Sequence, residues 1–176
     1  MPELILITGG ARSGKSRFAV ELASSLSHYV TFIATAVSLD KEMQKRISTH
    51  KRARPSHWQT IEEQKNVASV LSSINSPERV VIIDCLTLLT SNLLLDGEKE
   101  SDILNQIREI ADKGRKCNQV TIVVSNEVGW GVVPATKLGR DFRDIAGAAN
   151  QIVASKANRV YLLISGIACK LKEEKI

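Results

Sequence analysis

Residues 4–27 read LILITGGARSGKSRFAVELASSLS, and this stretch decides the fold. Leu4–Thr8 is a short apolar run closed by glycines, the mark of a buried strand. From Lys15 to about Ser27, Phe18, Leu22 and Leu26 fall on one face of a helix. Between them lies Gly9-Gly10-Ala11-Arg12-Ser13-Gly14-Lys15-Ser16, which fits G-x-x-x-x-G-K-[ST] with the strand and helix flanks that the motif needs. Glycines let the backbone curl so that successive N–H groups point into a concavity. The new helix adds its unbonded N–H groups and the positive end of its dipole. Such a loop grips the phosphates of ATP or GTP, with Lys15 reaching the β- and γ-phosphates and Ser16 ligating Mg2+.

Outward from this loop, strands and helices alternate. Val30–Ala34 reads as a second strand, and Glu42 to about Arg54 as a basic helix stopped near Pro55. Glu62–Ile74 is expected to be helical, with Val67, Val70, Leu71 and Ile74 as its apolar stripe. Val80–Asp84, Val120–Ser125 and Arg159–Ser165 are further strands. Leu86–Leu95, Asp102–Lys116 and Phe142–Ala157 are helices, Ile167–Leu171 a final antiparallel strand, and Lys172–Ile176 a charged fraying end. Continuous apolar strands separated by helices imply a sheet covered on both faces. The expectation is one α/β domain over residues 1–176: a P-loop NTPase-like three-layer fold, mainly parallel, with an antiparallel strand at the C-terminal edge.

Composition agrees with this reading. Of 176 residues, 43% are hydrophobic and 24% charged, a globular balance. Only 4% are aromatic, too few for the stacking platforms of a single-stranded nucleic-acid binder. The net charge of +5 is assigned to phosphate substrates and a solvated surface, because no nucleic-acid module motif appears; no nucleic-acid partner is expected. Cys85, Cys117 and Cys169 are odd in number and widely spaced, so neither a disulfide framework nor a zinc site is expected. With no signal-peptide pattern and no membrane-span run, the expected location is cytoplasmic.

Two further features carry chemistry. Asp84 ends the run VVIID, where a carboxylate completing a magnesium site with Ser16 would stand; alone, it would read equally as a turn or cap residue. On a helix, Arg46, His50 and Arg54 share a face, with Lys51 nearby. That spacing fits a solvated basic face with an incidental histidine. It also fits a nucleophile: adjacent cations disfavour the imidazolium, and a neutral ring can attack a nucleotide's α-phosphate while the cations stabilise departing pyrophosphate. His28, at a helix end, and His57, in a loop, are weaker candidates.

Together these residues resemble the bifunctional adenosylcobinamide kinase/adenosylcobinamide-phosphate guanylyltransferase family of cobalamin biosynthesis. The resemblance runs through ITGGARSGKS, IATA, the pattern RIxxHKxxRPxxWxTxE from Arg46 to Glu62, VVIIDCLTLLTSNLL, SNEVGWGVVP, GRDFRDIAGAANQ and SGIACKLK. It implies phosphorylation of adenosylcobinamide on its aminopropanol hydroxyl, then transfer of GMP from GTP to adenosylcobinamide phosphate. It implies His50 as the guanylylated nucleophile. Nucleotide contacts are implied at Gly9–Ser16, at Ala34, Thr35 and Ala36, at Lys51, Arg52, Ala53 and Arg54, and at Glu62 and Asp84. A homotrimer with the corrinoid approaching between subunits is implied as well. The chain departs from some members by having Asp84 in place of glutamate and Thr49 in place of a second histidine; both acids suit a magnesium site, and His50 then has no adjacent competitor.

SNEVGWGVVP leaves the fourth strand, where open α/β sheets bind ligands. Trp130 there is either an apolar plate for substrate or a buried anchor. Asn126, Glu127, Arg140 and Asp144 stand as secondary candidates with no assigned chemistry. A kinase without a covalent intermediate is the alternative enzyme. A GTPase switch is disfavoured, because Ser125-Asn126-Glu127-Val128 lacks the N-K-x-D that reads guanine.

Overall fold

Strand β1 (Glu3–Gly9) has Leu4, Ile5, Leu6 and Ile7 all at or below 1% exposure, so apolar cover must lie on both of its faces. The computed structural model describes residues 2–38, 41–52, 54–74, 76–117 and 119–174, and leaves the side chain of Arg46 undescribed. After β1 follow α1 (Lys15–Leu26), β2 (Tyr29–Ala34), α2 (Lys41–Arg52), β3 (Gln59–Glu62), α3 (Val67–Ile74) and β4 (Arg79–Asp84). Then come α4 (Leu86–Leu95), α5 (Glu100–Lys116), β5 (Val120–Val124), α6 (Lys137–Lys156), β6 (Arg159–Ile164) and β7 (Ile167–Glu173). The sheet order is β3-β2-β4-β5-β1-β6-β7, parallel except for β7 against β6.

The period-two alternation of strands sorts the core into two layers. Ile5, Ile7, Phe32, Ile82 and Val124 pack on the side of α1, with Ala19, Ala23 and Trp58. Leu4, Leu6, Ile33, Val81 and Val123 face α3, α4, α5 and α6 through residues such as Leu71, Leu89, Ile107 and Val153. Each fully buried aliphatic side chain contributes about 1.5–3 kcal/mol relative to exposure. Helix α2 adds no described residue to either layer. No described helix is long and apolar enough to cross a membrane.

Three expectations need correction. Glu62 begins no helix but ends β3, which pairs with β2, Thr31 opposite Gln59 and Ala34 opposite Glu62. QTIE has no apolar run to announce a strand; the ladder along β2 makes it one. Helix α3 starts only at Val67, after Glu63 Oε1 accepts the N–H groups of Lys65 and Asn66 at 2.8 Å and forms a turn. Helix α6 starts five residues earlier than expected, because Thr136 caps it by accepting the Gly139 N–H at 3.1 Å. The tail does not fray as far as residue 174: β7 runs to Glu173, and the Glu174 N–H donates to Asn158 O at 2.8 Å.

Candidate active site

The loop leaving β1 is bent by Gly9 (φ 147°), Arg12 (φ 57°) and Gly14 (φ 97°). Gly14 is the N-cap of α1 and offers no side-chain cap, so the first-turn N–H groups of α1 are open to an anion. Lys15 curls over the loop, its Nζ donating to Gly10 O at 2.5 Å and to Ser13 Oγ at 3.4 Å. Burial lowers its pKa, while the negative charges of Asp84 and Glu127 oppose that shift. A phosphate there would supply the anionic partner that a half-desolvated ammonium lacks.

Asp84, at the end of β4, is the meeting point. Ser16 Oγ, from α1, donates to Asp84 Oδ2 at 2.9 Å. His50 Nδ1, from the last turn of α2, stands 4.0 Å from the same oxygen; its side chain is 46% exposed and that of Asp84 only 13%. Along the sequence, cations flank His50. The one ion-pair partner that the described residues give its ring is acidic, so a carboxylate facing Nδ1 is what the geometry offers to orient it.

These groups line one open cavity of about 1100 Å³. Ala11 to Ser16, Ala34, Ala36, His50, Lys51, Arg54, Glu62 and Asp84 all border it; Met43 and Ile47 of α2 form an apolar side. Gly9 and Gly10 shape the loop from behind, without bordering that space. Arg54 lies over the Phe32 ring at 3.3 Å; burial lowers its pKa, against Asp84 and Glu62. Thr35 is fully buried and braces the strand end: its Oγ1 donates to Cys85 O and accepts the Cys85 N–H, both at 2.8 Å. Arg52 is exposed and outside the cavity lining. Ala53 and the Arg46 side chain lie outside the described residues.

The weaker candidates separate cleanly. His28 and His57 stack at 4.4 Å beside the starts of β2 and β3, away from the phosphate loop. Trp130 is 67% exposed, so it is no buried anchor, and Val132 and Val133 beside it are also exposed. Arg140 Nη1 donates to the carbonyls of Pro134 and Ala135, holding that loop, and Asp144 pairs with Arg143. Glu127 does border the cavity. Its role was illegible in sequence because its partners Thr8 and Asn150 are 119 and 23 residues away.

Molecules with this loop on a covered, mainly parallel sheet and a strand-end carboxylate beside its serine are P-loop nucleotide-binding enzymes. The fold superposes on an ATPase domain of known structure with a TM-score of 0.56 at 15% identity, over 93% of this chain and 69% of that one, a likeness of fold alone. The chain belongs to the cobinamide kinase / cobinamide phosphate guanyltransferase (CobU) family, whose model matches residues 5–171. It is 41% identical to the bifunctional adenosylcobalamin biosynthesis protein CobU of Escherichia coli (strain K12), over 96% of this chain and 99% of that protein. It is 42% identical to the bifunctional adenosylcobalamin biosynthesis protein CobP of Pseudomonas aeruginosa, over 97% and 98%. The chain is thus a bifunctional cobinamide kinase and guanylyltransferase of adenosylcobalamin biosynthesis.

Proposed function

We propose that His50 is the residue that carries GMP, and that Asp84 organises both half-reactions. The supporting observation is the convergence of Ser16 and His50 on one oxygen of Asp84. In the first reaction the hydroxyl of adenosylcobinamide attacks the γ-phosphorus of ATP or GTP, and the nucleoside diphosphate departs. In the second, His50 Nε2 attacks the α-phosphorus of GTP. An N–P bond forms as the bond to the bridging oxygen breaks, and pyrophosphate leaves with the electron pair. An oxygen of adenosylcobinamide phosphate then displaces the histidine, so a P–O bond replaces the N–P bond. Closing the 4.0 Å between Nδ1 and Asp84 into a hydrogen bond would hold the ring proton on Nδ1 and leave the Nε2 lone pair for attack. Lys15, Lys51 and Arg54 place positive charge around the phosphates that leave.

Ser16 and Asp84 offer hard oxygen donors that suit Mg2+, an ion bound by one or two carboxylates together with substrate phosphates. Among the described residues no three His, Cys, Asp or Glu side chains converge into a cage, which agrees with that mode. When bound, Mg2+ would offset phosphate charge. The three free cysteines fit a cytoplasmic location. Ile167 and Leu171 on the outermost strand, and Trp130, Val132 and Val133 on the loop after β5, leave apolar area for subunit contacts of a homotrimer or for the corrinoid. Sedimentation at equilibrium tests the trimer; a monomer at micromolar concentration would refute it.

The test of His50 is transfer of label from α-labelled GTP. Wild-type protein should acquire acid-labile, alkali-stable label, as a phosphoramidate does. His50→Ala should lose both the label and pyrophosphate exchange while cobinamide phosphorylation persists. Undiminished labelling of that variant would defeat the assignment.

A further inference from the structure

Glu127 follows β5 at the C-terminal ends of the parallel strands, beside the phosphate loop, and nothing above gives it a part in either reaction. Its backbone N–H donates to Gly9 O at 3.1 Å, fixing it against the first residue of that loop. Its Oε1 accepts from Thr8 Oγ1 at 2.5 Å and from Asn150 Nδ2 at 3.1 Å. Its Oε2 has no hydrogen-bond partner among the described residues, and the half-buried side chain borders the nucleotide cavity.

The supports of this carboxylate are built in depth. Asn150, 7% exposed, accepts from Ser125 Oγ at 2.5 Å and donates to Asn126 O at 3.0 Å. Ser125 is 3.1 Å from Thr87, whose hydroxyl accepts the Asn126 N–H at 2.8 Å. Elements β1, α4, β5 and α6 therefore hold one carboxylate of the cavity lining with one oxygen satisfied and the other without a hydrogen-bond partner among the described residues. An ornamental surface glutamate would need no such frame. A group that must meet a reacting atom within a fraction of an ångström does.

Position decides which reaction it serves. The Lys15 ammonium, which reaches the β- and γ-phosphates in such loops, is close enough to feel the Glu127 charge. Asp84, at the end of β4 on the other side of β5, is already engaged by Ser16 of the loop and by His50 of α2. Glu127 follows β5, between β4 and β1, so the cavity carboxylate beside the loop that is not engaged by Ser16 and His50 is the one placed to serve γ-phosphoryl transfer.

We propose that Glu127 is the residue that receives the proton of the substrate alcohol in the kinase step. The alcohol oxygen forms its bond to the γ-phosphorus while the bond from γ-phosphorus to the bridging oxygen breaks. The nucleoside diphosphate keeps that electron pair, and the hydroxyl proton passes to Glu127 Oε2. The guanylylation of His50 has no alcohol proton to remove, so this glutamate has no such part in it. Thr8 and Asn150 are positioning residues that aim it. The assignment rests on the kinase reading of the family.

The experiment measures two rates on the same preparations of Glu127→Gln and wild type: phosphorylation of adenosylcobinamide, and labelling from α-labelled GTP. Glutamine keeps the shape and can still accept from Thr8. General-base removal lowers a rate by about 10²–10⁴-fold, so the kinase-to-labelling ratio should fall at least about 100-fold, through kcat rather than KM. The acidic limb of the wild-type pH–kcat profile should vanish in the variant. A ratio within about threefold of wild type overturns the proposal. If Glu127→Gln melts early, Glu127→Asp, which retains a base on a shorter arm, must show a smaller loss of the same ratio with the acidic limb preserved; a flat profile there also overturns it. Wild-type protein that labels with GTP but never phosphorylates adenosylcobinamide would sink the kinase reading itself, a result distinct from an active Glu127→Gln.

Discussion

Gly9→Ala and Gly10→Ala differ by one position and should differ sharply in stability. At Gly9 φ is +147°, a conformation that side chains rarely adopt, and a Cβ there would meet Leu163 C at 3.2 Å and Ser13 Oγ at 3.0 Å, with the Leu163 carbonyl oxygen nearer still. That neighbour is backbone of β6, paired with Gly9 in the parallel ladder, and it cannot swing aside as a side chain would. The unfavourable φ costs about 1–3 kcal/mol, and the forced backbone shift about 1–3 kcal/mol more. At Gly10 a Cβ meets nothing within 4 Å, and its effect should stay within about 0.5 kcal/mol. For a chain of this size 1 kcal/mol moves Tm by about 2–4 °C. Gly9→Ala should therefore melt roughly 4–24 °C below wild type and lose most of its ATP-induced rise in Tm, because β6 pushes the loop out of register. Gly10→Ala should melt within about 2 °C of wild type. Thermal scans by near-UV circular dichroism, with and without ATP, read both. A Gly9→Ala protein as stable as wild type would refute the claim that β6 sets the path of the loop, and so would an equal fall in Gly10→Ala.

Burial pushes the Cys85 thiol up to about 12, so between about pH 8.5 and 12 the unfolded chain loses a proton that the folded chain keeps. Folding stability must then fall as pH rises through that window, by up to about 1.4 kcal/mol per pH unit, and be unaffected below it. Urea midpoints taken from pH 8 to 11 should fall more steeply for wild type than for Cys85→Ser; parallel slopes would contradict the burial argument. Trp130→Ala, at a side chain 67% exposed, should leave Tm within about 1 °C. If the loop after β5 is the corrinoid surface, that variant should raise the KM for adenosylcobinamide about 5–30-fold, the worth of one buried aromatic contact of about 1–2 kcal/mol. An unchanged KM would move that contact elsewhere.

How far a residue could be read from sequence follows how far away its partners are. The phosphate loop was legible as a motif, because the residue types it needs stand at eight consecutive positions, Gly9 to Ser16, although its path also leans on β6. The buried strands were legible for the same reason: Val80–Asp84 and Val120–Val124 announce two-sided burial in their own composition. His50 and Asp84 were each named, but their sequence separation says nothing about a distance of 4.0 Å, which arises only because α2 ends above the tip of β4. Strand β3 and the working environment of Glu127 were invisible, since a four-residue edge strand and a carboxylate framed by Thr8 and Asn150 depend wholly on contacts across the sheet.

Local chemistry alone therefore determined that this chain holds nucleotide phosphates on a covered parallel sheet, because hydrogen-bonding groups and apolar periodicity within a few residues suffice for that. Only the tertiary structure decided which charged groups share an oxygen, which face the cavity and which turn inward. Those choices depend on strand order and on the positions of separate elements in space, which no single segment encodes.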